Sequence, residues 1–165
     1  MFETGQFVVK ANTGVCRVTG ITTYSLSEEE EEKTYYRLEI PGTGNGTILV
    51  PVDLSKSNIR PVMTEEEALC LMERISDIGT VWPDRDRIRE QGYKDAIKSN
   101  DPEMILGMLK ELYRRSRERE IIGKKITAVD ERYAKIAEGV LFSEISLVLQ
   151  KEYSEIREMI IQHIE

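Results

Sequence analysis

The sequence holds one histidine, two cysteines, one tryptophan and no apolar run near the ~20 residues that cross a bilayer. With His163 as its only imidazole, the chain cannot assemble an ordinary zinc site. The same shortage excludes a Ser/His/Asp or Cys/His catalytic set. Cys16 and Cys70 stand far apart in sequence, outside any Cys-x-x-Cys spacing, and read as small buried hydrophobes. No basic-then-apolar stretch opens the chain, so a secretion signal is not expected and a cytoplasmic protein is. Gly42, Gly44 and Gly46 lack the Gly-Lys-Ser/Thr and the following helix of a phosphate loop, and read as turn residues. Asp84, Asp86 and Glu90 could gather carboxylates on one helix, but no nucleophile, metal cage or cofactor loop accompanies them. The expectation is a non-enzyme with no cofactor, no metal, no small-molecule substrate and no membrane partner.

What is present divides in two. Up to about residue 63, short runs rich in Val, Ile, Thr and Tyr alternate with turns: Phe7–Val9, Gly14–Ile21, Thr34–Ile40 and Thr47–Val52. Asn45-Gly46 is a preferred tight-hairpin pair, and the glutamates 28–32 suit a solvated hairpin tip. Four or five antiparallel strands in this length predict a small curled sheet or SH3/Tudor-like β-barrel. From Thr64 the period becomes helical. Thr64 with Glu67 forms a capping box, ahead of Leu69, Met72, Ile75 and Ile78 at helical spacing. Pro83 opens a second helix carrying Ile88, Tyr93, Ala96 and Ile97, which stops near Asn100. Asp101 caps a third, whose core face is Ile105, Met108, Leu109, Leu112 and Tyr113. Thr127 with Asp130 starts a long stripe from Tyr133 that breaks once between Leu149 and Tyr153. The fold class is therefore α+β in two domains: a β unit over 1–63 and an all-helical unit of four to five helices over 64–165.

The formal net charge is -7, which on its face disfavours nucleic acid. Its distribution says otherwise. Residues 85–125 carry a net +4, while 1–65, 66–84 and 126–165 carry -3, -4 and -4. Arg85, Arg87, Arg89 and Lys94 fall on or beside the second helix, and Arg114, Arg115, Arg117, Arg119, Lys124 and Lys125 on or after the third. Such a cluster suits backbone phosphates; interspersed Glu111, Glu118 and Glu120 equally suit a charged, self-paired helix face. Trp82, between Gly79-Thr80 and Pro83-Asp84, has two readings: a plug between helices, or an exposed wedge stacking on a base.

In order and spacing these segments resemble the CarD family of bacterial transcription regulators, related to the polymerase-binding module of the transcription-repair coupling factor. The resemblance rests on Met1-Phe2-x-x-Gly5-x-x-Val8-Val9, Gly14-Val15-Cys16-x-Val18-x-x-Ile21, Tyr35-Tyr36-x-Leu38, Leu49-Val50-Pro51-Val52-Asp53 and Ile59-Arg60-Pro61-Val62. In the second half it rests on Trp82, the stretch from Arg89 to Asp101, and Leu109 to Arg115. It implies that the β unit binds the RNA polymerase β subunit by edge pairing, around Thr47, Ile48, Leu49, Val50 and Pro51, with Tyr24 nearby. It further implies that the helical unit touches promoter DNA weakly and largely without base readout. Trp82 would wedge into the minor groove and these arginines and lysines would hold phosphates, so that the open promoter complex is stabilised. Such a protein would be nucleoid-associated. The alternative is a protein–protein adaptor whose helices never touch DNA.

Overall fold

The computed structural model describes residues 1–164 except 26, 45, 54–57, 80, 81, 83 and 84. Asn45 of the expected tight turn, Pro83 of the expected helix start, and Thr80 and Asp84 lie outside the described residues.

Five strands form one antiparallel sheet in the order β4-β3-β2-β1-β5: β1 Phe7–Lys10, β2 Gly14–Tyr24, β3 Lys33–Glu39, β4 Ile48–Pro51 and β5 Ile59–Pro61. Alternation sets the inner face. On β3, Tyr36 and Leu38 are buried, opposite Val50 and Ile48, while Arg37 and Glu39 face solvent. With Val8, Cys16, Val18 and Ile59 they make a compact apolar cluster. A register shift between Val18 and Gly20 bends β2. There the Arg37 guanidinium lies so close over Gly20 that a Cβ would collide with it.

The expected barrel is instead an open sheet. β4 pairs only with β3 and β5 only with β1, so the two ends of the sheet do not meet. The reason lies in β5, three residues long and drawn toward the helices: Asn58 donates to the Lys98 carbonyl at 2.8 Å and Arg60 to the Asn100 carbonyl at 2.7 Å.

Five helices follow: α1 Glu65–Glu73, α2 Asp86–Ser99, α3 Pro102–Ile121, α4 Ala128–Leu149 and α5 Tyr153–Ile161, with a 3₁₀ turn at Ile75–Asp77 after α1. Each expected side-chain cap is made. Thr64, Asp101 and Thr127 accept from the backbone N–H groups of Glu67, Glu103 and Asp130. Asn100 ends α2 in the left-handed conformation at φ 55°. Three residues expected to be buried lie outward: Leu69 and Ile88 are 46 % and 48 % exposed and Cys70 is exposed beside Leu69, because Ala68 and Leu71 take the core face of α1 and Arg89 takes it on α2.

The main core crosses from the helices into the sheet. Val9, Val15 and Met63 pack in the same cluster as Tyr93, Leu109, Val140 and Phe142. Polar groups join the halves as well. Arg60 grips Glu144 of α4 with two bonds of 2.6 and 2.7 Å, and the same carboxylate accepts the Met63 N–H at 2.7 Å. Asn100 donates to the Val9 carbonyl at 2.9 Å, and Val15 N–H to Ser143 Oγ at 3.2 Å. At Gly14, φ is +102° and a Cβ would stand 2.9 Å from the Gly139 carbonyl, so only glycine lets α4 approach β2 this closely.

Candidate functional site

The two edges of the sheet differ. β5 lies against the α2–α3 junction through Asn58 and Arg60. β4 has β3 on one side and, among the described residues, no strand on the other. Val52 N–H donates inward to the Thr34 carbonyl at 3.0 Å. Because alternate residues of a strand face the same neighbour, Ile48 and Val50 also point their backbone groups at β3. Thr47, Leu49 and Pro51 therefore turn theirs outward: two N–H donors and three carbonyls, since proline has no N–H. Leu49 is 45 % exposed and Tyr24, at the end of β2, 53 %. Thr47 is exposed, Ile48 and Pro51 are half-buried, and Val50 belongs to the sheet core. Five of the six residues expected at a polymerase surface thus lie along one open edge, with Tyr24 at the end of β2, on the other side of β3.

The basic positions separate into a spent group and a presented group. Arg89 is 2 % exposed. Its guanidinium bonds Glu111 at 3.0 Å and the Tyr93 hydroxyl at 2.8 Å. Burial works to lower its pKa, but those two partners outweigh it and raise it. Arg89 was expected on a phosphate; it lies inside the bundle, where charge pairing with the fully buried Glu111 holds it. Arg114 is bound to Glu111 and Glu118, and Arg115 to Asp130 at 2.8 Å and Asp86 at 3.1 Å. Arg119 turns its Nε onto the Lys125 carbonyl at 2.7 Å. The Tyr93 hydroxyl donates to Asp130, and its pKa is pushed up to about 12, mostly by burial. What remains presented is Arg85, Arg87, Arg117, Lys124 and Lys125, all exposed and carrying no ion pair among the described residues. Lys94 is also exposed, 3.8 Å from Glu90.

Trp82 is half-buried against the main core. Its ring centroid is 5.5 Å from that of Tyr93, and a Cβ at Gly92 would stand 2.5 Å from its edge. It also lines a hollow of about 420 Å³ with Asp77, Asp101 and Glu103. The segment leading to it is clamped by Lys110, whose ammonium donates to the carbonyls of Ile75 at 2.6 Å and Ile78 at 2.9 Å, and whose pKa is lowered by burial.

Sequence reasoning missed the joint of Arg60, Asn100 and Glu144. In sequence Arg60 is part of the β unit and Asn100 a helix stop, and nothing in the local pattern ties either to a glutamate inside a later apolar stripe. Among the described residues no group of three or more His, Cys, Asp or Glu is placed to hold a metal ion. No helix there is long and apolar enough to cross a membrane.

No curated protein matches the chain. Residues 2–63 match the family described as the CarD-like/TRCF RID domain, a stretch that begins ahead of β1 and ends just after β5. The whole sheet thus falls within a stretch similar to the CarD-like/TRCF RID domain, a family of RNA polymerase-interacting modules.

Proposed function

We propose that the protein regulates transcription by docking its sheet on the β subunit of RNA polymerase through the β4 edge, and that the helical unit then reaches promoter DNA. The observation that carries the reading is the asymmetry of the sheet: the β5 edge is occupied by the protein's own helices, whereas β4 turns five backbone groups outward beside Leu49. An edge in that state accepts a strand from a partner. Each bond so formed adds a net ~0.5–1.5 kcal/mol.

The joint between the halves gives docking its consequence. With Arg60, Asn100 and Gly14 fixing the helices to the sheet, a polymerase held at β4 sets where Arg85, Arg87, Arg117, Lys124 and Lys125 stand. Five exposed cations with no ion pair among the described residues, on an acidic chain, suit weak phosphate contact without base readout. Binding the melted promoter better than the closed one would stabilise the open complex. The half-life of open complexes on a promoter fragment, with and without the protein, tests this. A longer half-life is expected; an unchanged one refutes the DNA-directed part.

A second reading, a polymerase adaptor whose helices never touch DNA, draws on the spent arginines. Arg89, Arg114 and Arg115 are all committed to carboxylates, and Trp82 packs on Tyr93 and Gly92. Unchanged open-complex lifetime together with retained capture of the β subunit would favour it.

A further inference from the structure

At the seam between sheet and helices lies a concave hollow of about 410 Å³. Its floor is apolar, built from Ile97, Ile136 and the ring of Tyr133. Its charged lining is of one sign: Lys10 at the end of β1, and Lys94 and Lys98 one turn apart on α2. The hollow is a product of the joint, since Asn58 on its wall donates to the Lys98 carbonyl and its own carbonyl accepts the Ala11 N–H at 3.1 Å. Glu90, 3.8 Å from Lys94, is shared with Arg132 and accepts from the Tyr133 hydroxyl at 3.3 Å, and Lys10 and Lys98 make no ion pair among the described residues.

Three cations around a concave apolar floor focus an electrostatic field inward and leave a dry surface beneath it. The volume is that of a small-molecule site and too confined for a duplex. The geometry points to a binding site for a small organic polyphosphate: the phosphates held by Lys10, Lys94 and Lys98, and a flat or apolar body laid on Ile97, Ile136 and Tyr133. Such a ligand would touch the β unit and the helical unit at once. The site shares Lys94 with the basic residues expected on DNA, whereas Lys10 and Lys98 belong to it alone.

Calorimetric titration of the whole chain with magnesium-free ATP, inorganic pyrophosphate and adenosine tests it. One-site saturable binding of ATP is expected, tighter than that of pyrophosphate and lost for adenosine. The double variant Lys10→Gln/Lys98→Gln is expected to bind ATP about tenfold or more weakly, a difference of ~1.4 kcal/mol, with an unchanged circular dichroism spectrum. Lys10→Arg/Lys98→Arg is expected to keep the binding, which separates lost charge from lost fold. Absence of saturable ATP binding by the wild type, or equal affinity in the glutamine variant, would overturn the site. Pyrophosphate binding as tightly as ATP would overturn the role of the apolar floor.

Discussion

Arg60 and Glu144 are 84 residues apart in sequence and joined by two hydrogen bonds, of 2.7 and 2.6 Å, with the carboxylate at zero exposure. Together they fasten the last strand of the sheet to α4. Removing one partner of such a pair leaves the other charge in the interior without compensation.

Glu144→Ala is therefore expected to cost about 3 kcal/mol of folding stability, because the partly exposed Arg60 loses its counter-charge and the Met63 N–H loses its acceptor. Chemical denaturation measures it. A loss below about 1 kcal/mol, the scale of an exposed ion pair, would mean that the joint is dispensable.

Gly14 makes the second fastening. An alanine there meets a φ of +102° and a Cβ 2.7 Å from Ser143 Oγ and 2.9 Å from the Gly139 carbonyl. Gly14→Ala is expected to lose about 2 kcal/mol or more, combining strain with displacement of α4. Gly44→Ala, with φ +63° and open space around it, should lose about 1 kcal/mol. Equal losses at the two positions would contradict the close approach.

The titration of Tyr93 bears on the buried network. Its pKa lies above the ordinary 10, at about 12, so its contribution to stability is complete below pH 10 and disappears as the pH rises from 10 to about 12. Tyr113, raised by burial and by Glu138, adds to the same loss. Lys110, whose pKa is lowered, works the other way as it deprotonates, and its single group is outnumbered. Unfolding followed at pH 9, 10 and 11 should show falling stability, and the part of the tyrosinate absorbance that Tyr93→Phe removes should rise only as the fold is lost. Tyr93 ionising near pH 10 in an intact fold would refute the network.

The helix ends were the most legible part of the sequence, because a cap is local chemistry: Thr64, Asp101 and Thr127 each need only a backbone N–H two or three residues away. Strand positions were legible for the same reason, through alternation at Tyr36 and Leu38. The closed barrel was not correct, since closure depends on where β5 goes, and β5 is directed by Asn58 and Arg60 toward helices 40 residues later. Likewise a basic run cannot declare which arginines are spent. Arg89 and Arg117 look alike in sequence, and only the fold brings Glu111 to Arg89.

That distinction is measurable. Arg117→Gln with Lys124→Gln and Lys125→Gln is expected to leave folding intact and to lower the slope of promoter-complex stability against salt by about three charges. Arg89→Gln is expected to destabilise the fold by roughly 3–5 kcal/mol, through the orphaned Glu111. Identical behaviour of the two variants would contradict the division into spent and presented cations.

The central claim is that β4 is the docking edge, and a proline pair tests it. At Leu49 the N–H points away from β3, so Leu49→Pro removes an outward donor and spares the sheet; at Val50 the N–H points into the ladder. Capture of the isolated polymerase β-subunit lobe by wild type, Leu49→Pro and Val50→Pro is the direct measurement, with circular dichroism of each. Wild type is expected to bind, Leu49→Pro to stay folded and lose binding at least about tenfold, and Val50→Pro to lose its fold. Full binding by a folded Leu49→Pro protein would contradict edge pairing at β4.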